Sequence, residues 1–176
     1  MLCFNFKETD MQVIEAPNPL PNVANRYKTP TVFLAGSIEM GTAVDWQADI
    51  IEFYQNDPVT FLNPRRSDWD SSWEQSKDNP KFREQVEWEL DAQEMATFIF
   101  MYFAPGTKSP ISLLELGLFA YKRQKMVVCC PNEFWRKGNV DIVCERHNIP
   151  CFDNFERAKM TLLGMIHSWN PTGTML

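Results

Sequence analysis

No stretch of this chain approaches the roughly 18 consecutive apolar residues of a membrane span, and no basic segment followed by an apolar one opens it. Neither a transmembrane helix nor a secretory leader is therefore expected. Basic charge is not in excess either: 17 Lys and Arg stand against 23 Asp and Glu, for a net charge of -6. That balance, with a pI near 5.0, argues against a nonspecific grip on the phosphate backbone of a nucleic-acid polymer. Histidine is scarce. His147 and His167 are the two present, without metal-ligand spacing, and the HxE and PCxxC signature of a zinc deaminase is missing. The five cysteines (Cys3, Cys129, Cys130, Cys144 and Cys151) are odd in number and lack any CxxC, which excludes a disulfide scaffold and suits buried thiols in a reducing compartment. Internal repeats and low-complexity runs are absent. The expectation is a cytoplasmic protein with a small-molecule partner and with neither metal nor cofactor.

What is present is a full core: 44% hydrophobic and 13% aromatic residues in a 176-residue chain fit one domain. Residues 1–28 read as an N-terminal arm ending in the proline-dense segment Ala16 to Asn22, which cannot continue a helix or an inner strand. From 29 to 170, short apolar runs alternate with helical patterns. Strands are expected at Thr31–Ala35, Val59–Leu62, Thr97–Phe103, Met126–Cys130 and, weakly, Pro150–Phe152. Helices are expected at Asp45–Tyr54, near Phe82–Met95, from Pro110 with Ser109 as N-cap, briefly after Gly138, and from Asn154 toward Trp169. Residues 171–176 are left as a tail. Continuous apolar strands alternating with amphipathic helices indicate an open, doubly wound, mainly parallel α/β sheet of five strands.

Ligands of such sheets bind beyond the carboxyl ends of the strands, near the switch point of strand order. Three loops should share that rim: Gly36 to Gly41, Asn63 to Asp70, and Ala104 to Ser109. Gly36 lets a backbone come close to a ligand and Ser37 offers a hydroxyl, although no GxGxxG fingerprint is formed. The second loop concentrates Asn63, Arg65, Arg66, Asp68, Trp69, Asp70 and Trp73, hydrogen-bonding and aromatic groups that can hold a ring or pair among themselves. Glu115 is the most informative residue. It lies about one and a half turns into a helix whose run, Ser109 to Ala120, is otherwise apolar, so its carboxylate needs a function, a route to solvent, or a partner such as Arg123. On the preceding helix Glu89 shares a stripe with Gln85, Val86 and Ala92, away from Glu84, Glu87 and Asp91, and is the best second carboxylate by pattern.

Together, FLAGSIEMG, NPRR-x-DWD, EQVEWEL, SPISLLELGL and FWRKGNV, over about residues 30–150, resemble the nucleoside 2-deoxyribosyltransferase-like family. The resemblance implies a flavodoxin-like (Rossmann-like) α/β enzyme in which the ELG glutamate, here Glu115, is the nucleophile. The family's acid falls on Glu89, where better-known members carry aspartate. It further implies an asparagine lent by a neighbouring subunit, for which Asn139 is the candidate, and hence a homo-oligomer. The substrates implied are a nucleoside or nucleotide and a free nucleobase, held by some of Gly36, Ser37, Asp45, Asn63, Arg65, Asp68, Trp69, Ser109 and Asn139. In that chemistry a carboxylate opposite the leaving base traps the sugar at C1′, and a donor such as Glu89, or Asp45 or Asp68, protonates the base. If water replaces the second base the enzyme is an N-glycosidase, on which Gly36, Ser37 and the Arg65-Arg66 pair permit a phosphorylated substrate. A non-catalytic nucleotide-binding module of the same fold is the third reading.

Overall fold

The computed structural model of the protein describes residues 11–22, 29–38, 45–70 and 72–170, without the side chains of Arg123 and Gln124. The expectations placed on Cys3, on residues 39–41, on Arg123 and on the tail 171–176 fall outside these residues.

Six strands form one sheet: β1 (Gln12–Glu15), β2 (Thr31–Gly36), β3 (Thr60–Asn63), β4 (Phe98–Tyr102), β5 (Met126–Cys129) and β6 (Cys151–Phe152), in the order β1-β3-β2-β4-β5-β6 with every neighbouring pair parallel. Without β1 this is the 2-1-3-4-5 order of a flavodoxin-like sheet. The sixth strand is the correction to the five expected. It comes from the arm, where Gln12–Glu15 pairs in register with Thr60–Asn63, and Ala16 then donates its N–H to the Asn63 carbonyl at 3.0 Å. Four residues give too little alternation to announce a strand; β3 supplies the edge that orders them. The arm is also tied to the helix layer, since Trp88 Nε1 donates to the Asn18 carbonyl at 2.8 Å.

Helices α1 (Trp46–Phe53), α2 (Pro80–Met95), α3 (Pro110–Phe119), α4 (Lys137–His147) and α5 (Phe155–His167) cover both faces, with a 3-10 segment, Ala120–Lys125, between α3 and β5. The two-residue period of the strands divides the core. Phe33, Ala35, Ile99 and Met101 face α2, α3 and α4 through Trp88, Ala92, Leu116 and Val140. Val32, Leu34, Phe98 and Phe100 face α1 and α5 through Trp46, Ile50, Ala158 and Leu162. Asn79 caps α2 by accepting from the Lys81 and Phe82 amides, and Pro80 fills the first position, where its missing N–H costs nothing. Among the described residues no helix is long and apolar enough to cross a membrane.

Candidate active site

The switch point lies between β2 and β4, and its geometry is set by a close approach of backbones. Gly36 has φ +142°, and a Cβ there would stand 2.2 Å from the Tyr102 carbonyl oxygen. The conformational freedom of Gly36 is used by the close approach of the neighbouring strand. Ser37 is likewise turned inward, 1% exposed: its N–H donates to the Tyr102 carbonyl, and its Oγ accepts from the Ala104 amide at 2.9 Å. The same hydroxyl meets Ser109 Oγ at 2.5 Å and Thr107 Oγ1 at 2.9 Å. Ser109 occupies the N-cap position of α3, yet it sits in the left-handed region at φ 44° and makes no side-chain cap. Its hydroxyl is drawn into this knot, so Ser37, Thr107 and Ser109 pin the loop after β4 to the end of β2. Thr107 carried no signal in the sequence beyond lying in that loop.

A second cluster surrounds a cleft of about 260 Å³ at the carboxyl ends of β1 and β3, lined by Glu15, Asp45, Asn63, Arg65 and Arg66 among others. Asp45 caps α1 through the Ala48 amide and stands 3.5 Å from Arg65 Nε; Asn63 Oδ1 accepts from the Arg65 amide. Asp68, expected near a substrate, is an exposed partner of Arg66, which donates to both its oxygens at 2.6 and 3.0 Å. That fork holds the Asp68 carboxyl below the usual carboxylate range. Trp69 leans on Trp73, ring centroids 5.1 Å apart, and Arg66 lies over Trp73. Arg66 and Asp68 thus satisfy each other within the loop, whereas Trp69 Nε1 and Arg65 Nη1 are buried without a hydrogen-bond partner among the described residues.

The third cluster gathers the two inward-facing carboxyls of α2 and α3. On α3, Ser112, Glu115, Leu116 and Phe119 turn inward, whereas Ile111, Leu114 and Leu118 are exposed. The helix thus buries an acid and shows apolar side chains to the outside. Glu115 is 8% exposed and its Oε1 accepts from Gln93 Nε2 of α2 at 2.7 Å. One turn earlier on α2, half-buried Glu89 accepts from Gln85 Nε2, also at 2.7 Å. Gln85, Glu89 and Gln93 stand four residues apart and form one polar stripe against α3. Glu84, Glu87 and Asp91 are exposed, as their pattern indicated.

Burial raises the Glu89 carboxyl to about 7 against the pull of the Gln85 amide. Burial first, and then the charge on Glu89, raise Glu115 to about 8, with the Gln93 N–H drawing it down. Each carboxyl is thus pushed toward its protonated form near neutrality and the two titrate as a coupled pair, the setting in which one can act as base or nucleophile and the other as acid.

The clusters are joined through Arg66, which lines the cleft and whose Nη1 also reaches Gln85 Oε1 at 3.4 Å. Asn139 stands apart, exposed in the first turn of α4. Gln85 and Gln93 are the partners that a reading of carboxylates alone passes over; their four-residue spacing from Glu89 is the signal that finds them. Among the described residues no group of three or more His, Cys, Asp or Glu side chains is gathered that could hold a metal ion. A family model described as nucleoside 2-deoxyribosyltransferase like matches residues 29–134, more than half of the chain. No curated protein matches it.

Proposed function

The chain belongs to the nucleoside 2-deoxyribosyltransferase-like family, and on that premise we propose that it exchanges nucleobases on a 2′-deoxyribose through a covalent intermediate on Glu115. The observation that carries this reading is the buried pair: two carboxyls on facing helices, both above the usual carboxylate range and differing in exposure. In the first half-reaction the Glu115 carboxylate attacks C1′ from the face opposite the base. The N-glycosidic electron pair leaves with the base, which takes the proton of Glu89. In the second half-reaction a different base attacks C1′, releases its proton to the Glu89 carboxylate, and displaces Glu115 with restored configuration. The polar cleft formed by Asp45, Asn63 and Arg65 offers donors and acceptors for the substrate's polar edges.

Assembly is part of the proposal. The outward face of α3 presents Ile111 (60% exposed) and Leu114 (59% exposed) together with Leu118; Tyr121 is exposed in the 3-10 segment that follows, and Trp135 before α4. A patch of this kind suits a second copy of the chain, whose Asn139 would complete the pocket. The test of function is to incubate the protein with deoxyadenosine and free cytosine. Deoxycytidine with adenine is the expected product pair. Free deoxyribose in its place would move the protein to the hydrolases of the same bond, and unchanged substrates would overturn the enzymatic reading.

A further inference from the structure

Resting on that reading of the site, we propose that Gln93 is the positioning residue that eases the ionisation of Glu115, acting through an amide that can present either of its faces to the carboxyl. Gln93 is fully buried; its Nε2 donates to Glu115 Oε1 at 2.7 Å and, at 3.3 Å, to the Glu89 main-chain carbonyl. Its Oε1 is buried and has no hydrogen-bond partner among the described residues.

The contrast with Gln85 shows what this means. Gln85 Oε1 is taken by Arg66 Nη1, and its Nε2 by the Pro64 carbonyl at 2.9 Å as well as by Glu89. Its orientation is fixed from outside, so Glu89 always faces an N–H. Gln93 has no such lock. With Glu115 ionised, the N–H must face it; with Glu115 protonated, a turned amide can accept the acid's O–H and satisfy the orphaned oxygen. A side chain placed there for packing alone would be aliphatic, since a buried acceptor without a partner costs stability.

Among the described residues and side chains no cation opposes the charge on Glu115. Among the described residues the charged group that acts on it is Glu89 of α2, which repels it. The sheet face beneath offers Phe33, Ala35, Ile99 and Met101, while α4 contributes Val140 and the neutral thiol of Cys144. The Gln93 N–H is therefore the group that offsets both burial and repulsion. It favours placing the charge on Glu115 and the proton on Glu89, the arrangement the reaction needs, against the burial and repulsion that otherwise keep a proton on Glu115.

The test is a titration that does not depend on turnover. In protein carrying carboxyl-¹³C glutamate, with the Glu115 signal assigned through Glu115→Gln, the Glu115 midpoint should rise by about one unit or more in Gln93→Met. That is the size expected for losing one charge-assisted hydrogen bond. In the exchange assay the same variant should lose about tenfold or more in kcat, one unit of misplaced protonation being tenfold, with little change in KM. An unmoved midpoint in a folded Gln93→Met overturns the proposal, whatever its activity. Should that variant not fold, the wild type decides: the side-chain amide resonances of Gln93 should shift with the Glu115 midpoint, and resonances that ignore it overturn the proposal. If the wild type exchanges no base while the midpoint moves as expected, the exchange reading fails and the hold of Gln93 on Glu115 stands.

Discussion

At Glu115 function and stability pull against each other. A carboxyl held above its ordinary value keeps its proton in the folded state at pH values where the unfolded chain has lost it. Stability therefore falls as pH rises from about 4.5, the ordinary value, through about 8. Glu115→Gln removes that liability while still offering Gln93 an amide to pair with. Its melting temperature should exceed that of the wild type by a margin that widens from pH 5 to pH 8, by at least about 1 kcal/mol, or about 2–4 °C for a chain of this size. A margin that does not depend on pH would show that Glu115 is not held protonated. The same variant should lose at least about 10³-fold in base exchange, and retention of more than a tenth of the wild-type rate would remove Glu115 from the role of nucleophile. Glu89→Gln keeps a hydrogen-bonding group but no acidic proton, so exchange of natural bases should slow by about 10² to 10⁴-fold. An activated nitrophenyl deoxyriboside should be spared. Equal slowing of both substrates would assign Glu89 to holding the sugar or the structure.

Among the elements, β2 and the loop after β4 decide where α3 begins, and hence where Glu115 lies. Gly36→Ala would drive a Cβ into the Tyr102 carbonyl and force a residue with a side chain to keep φ +142°. The obstacle is main chain, which cannot swing aside as a side chain does. A loss of at least about 2 kcal/mol is expected, read as a lowered urea midpoint; an unchanged midpoint would show that β2 and β4 tolerate separation. The helices and inner strands were legible because each is a run whose period reports its own geometry: TVFLA is continuous and apolar, and α2 was found from its period, although it starts at Pro80 rather than at the expected Phe82. Strand β1 was not legible, since a four-residue edge strand exists through its neighbour. The role of Ser109 was misread for a related reason. Ser-Pro announces a helix start correctly, yet the hydroxyl is taken by Ser37, 72 residues away, which no local pattern records.

For the molecule as a whole, the proposed cover of the exposed apolar face of α3 by a second copy, with its Asn139 completing the pocket, predicts that activity depends on association. Glu115→Ala and Asn139→Ala should each be inactive alone. When subunits are exchanged between them, one pocket of a mixed dimer carries both lesions and the other none, so up to about half of the wild-type activity per mixed dimer should return. Exchange shown by labelled subunits without recovery would place Asn139 in its own subunit's chemistry or outside it altogether. The division between chain and fold is plain in these residues. Composition and periodicity, which are local or additive, establish the α/β class, the parallel sheet and the anomaly of an acid in an apolar helix. They also place Glu89 on a less charged face. What they could not supply is the set of neighbours for each group. That Gln93 meets Glu115, that Asp68 is held by Arg66, and that Gly36 and Ser37 serve the strand beside them all depend on how helices are rotated and how closely strands approach. Those quantities are fixed when residues distant along the chain compete for the same buried space.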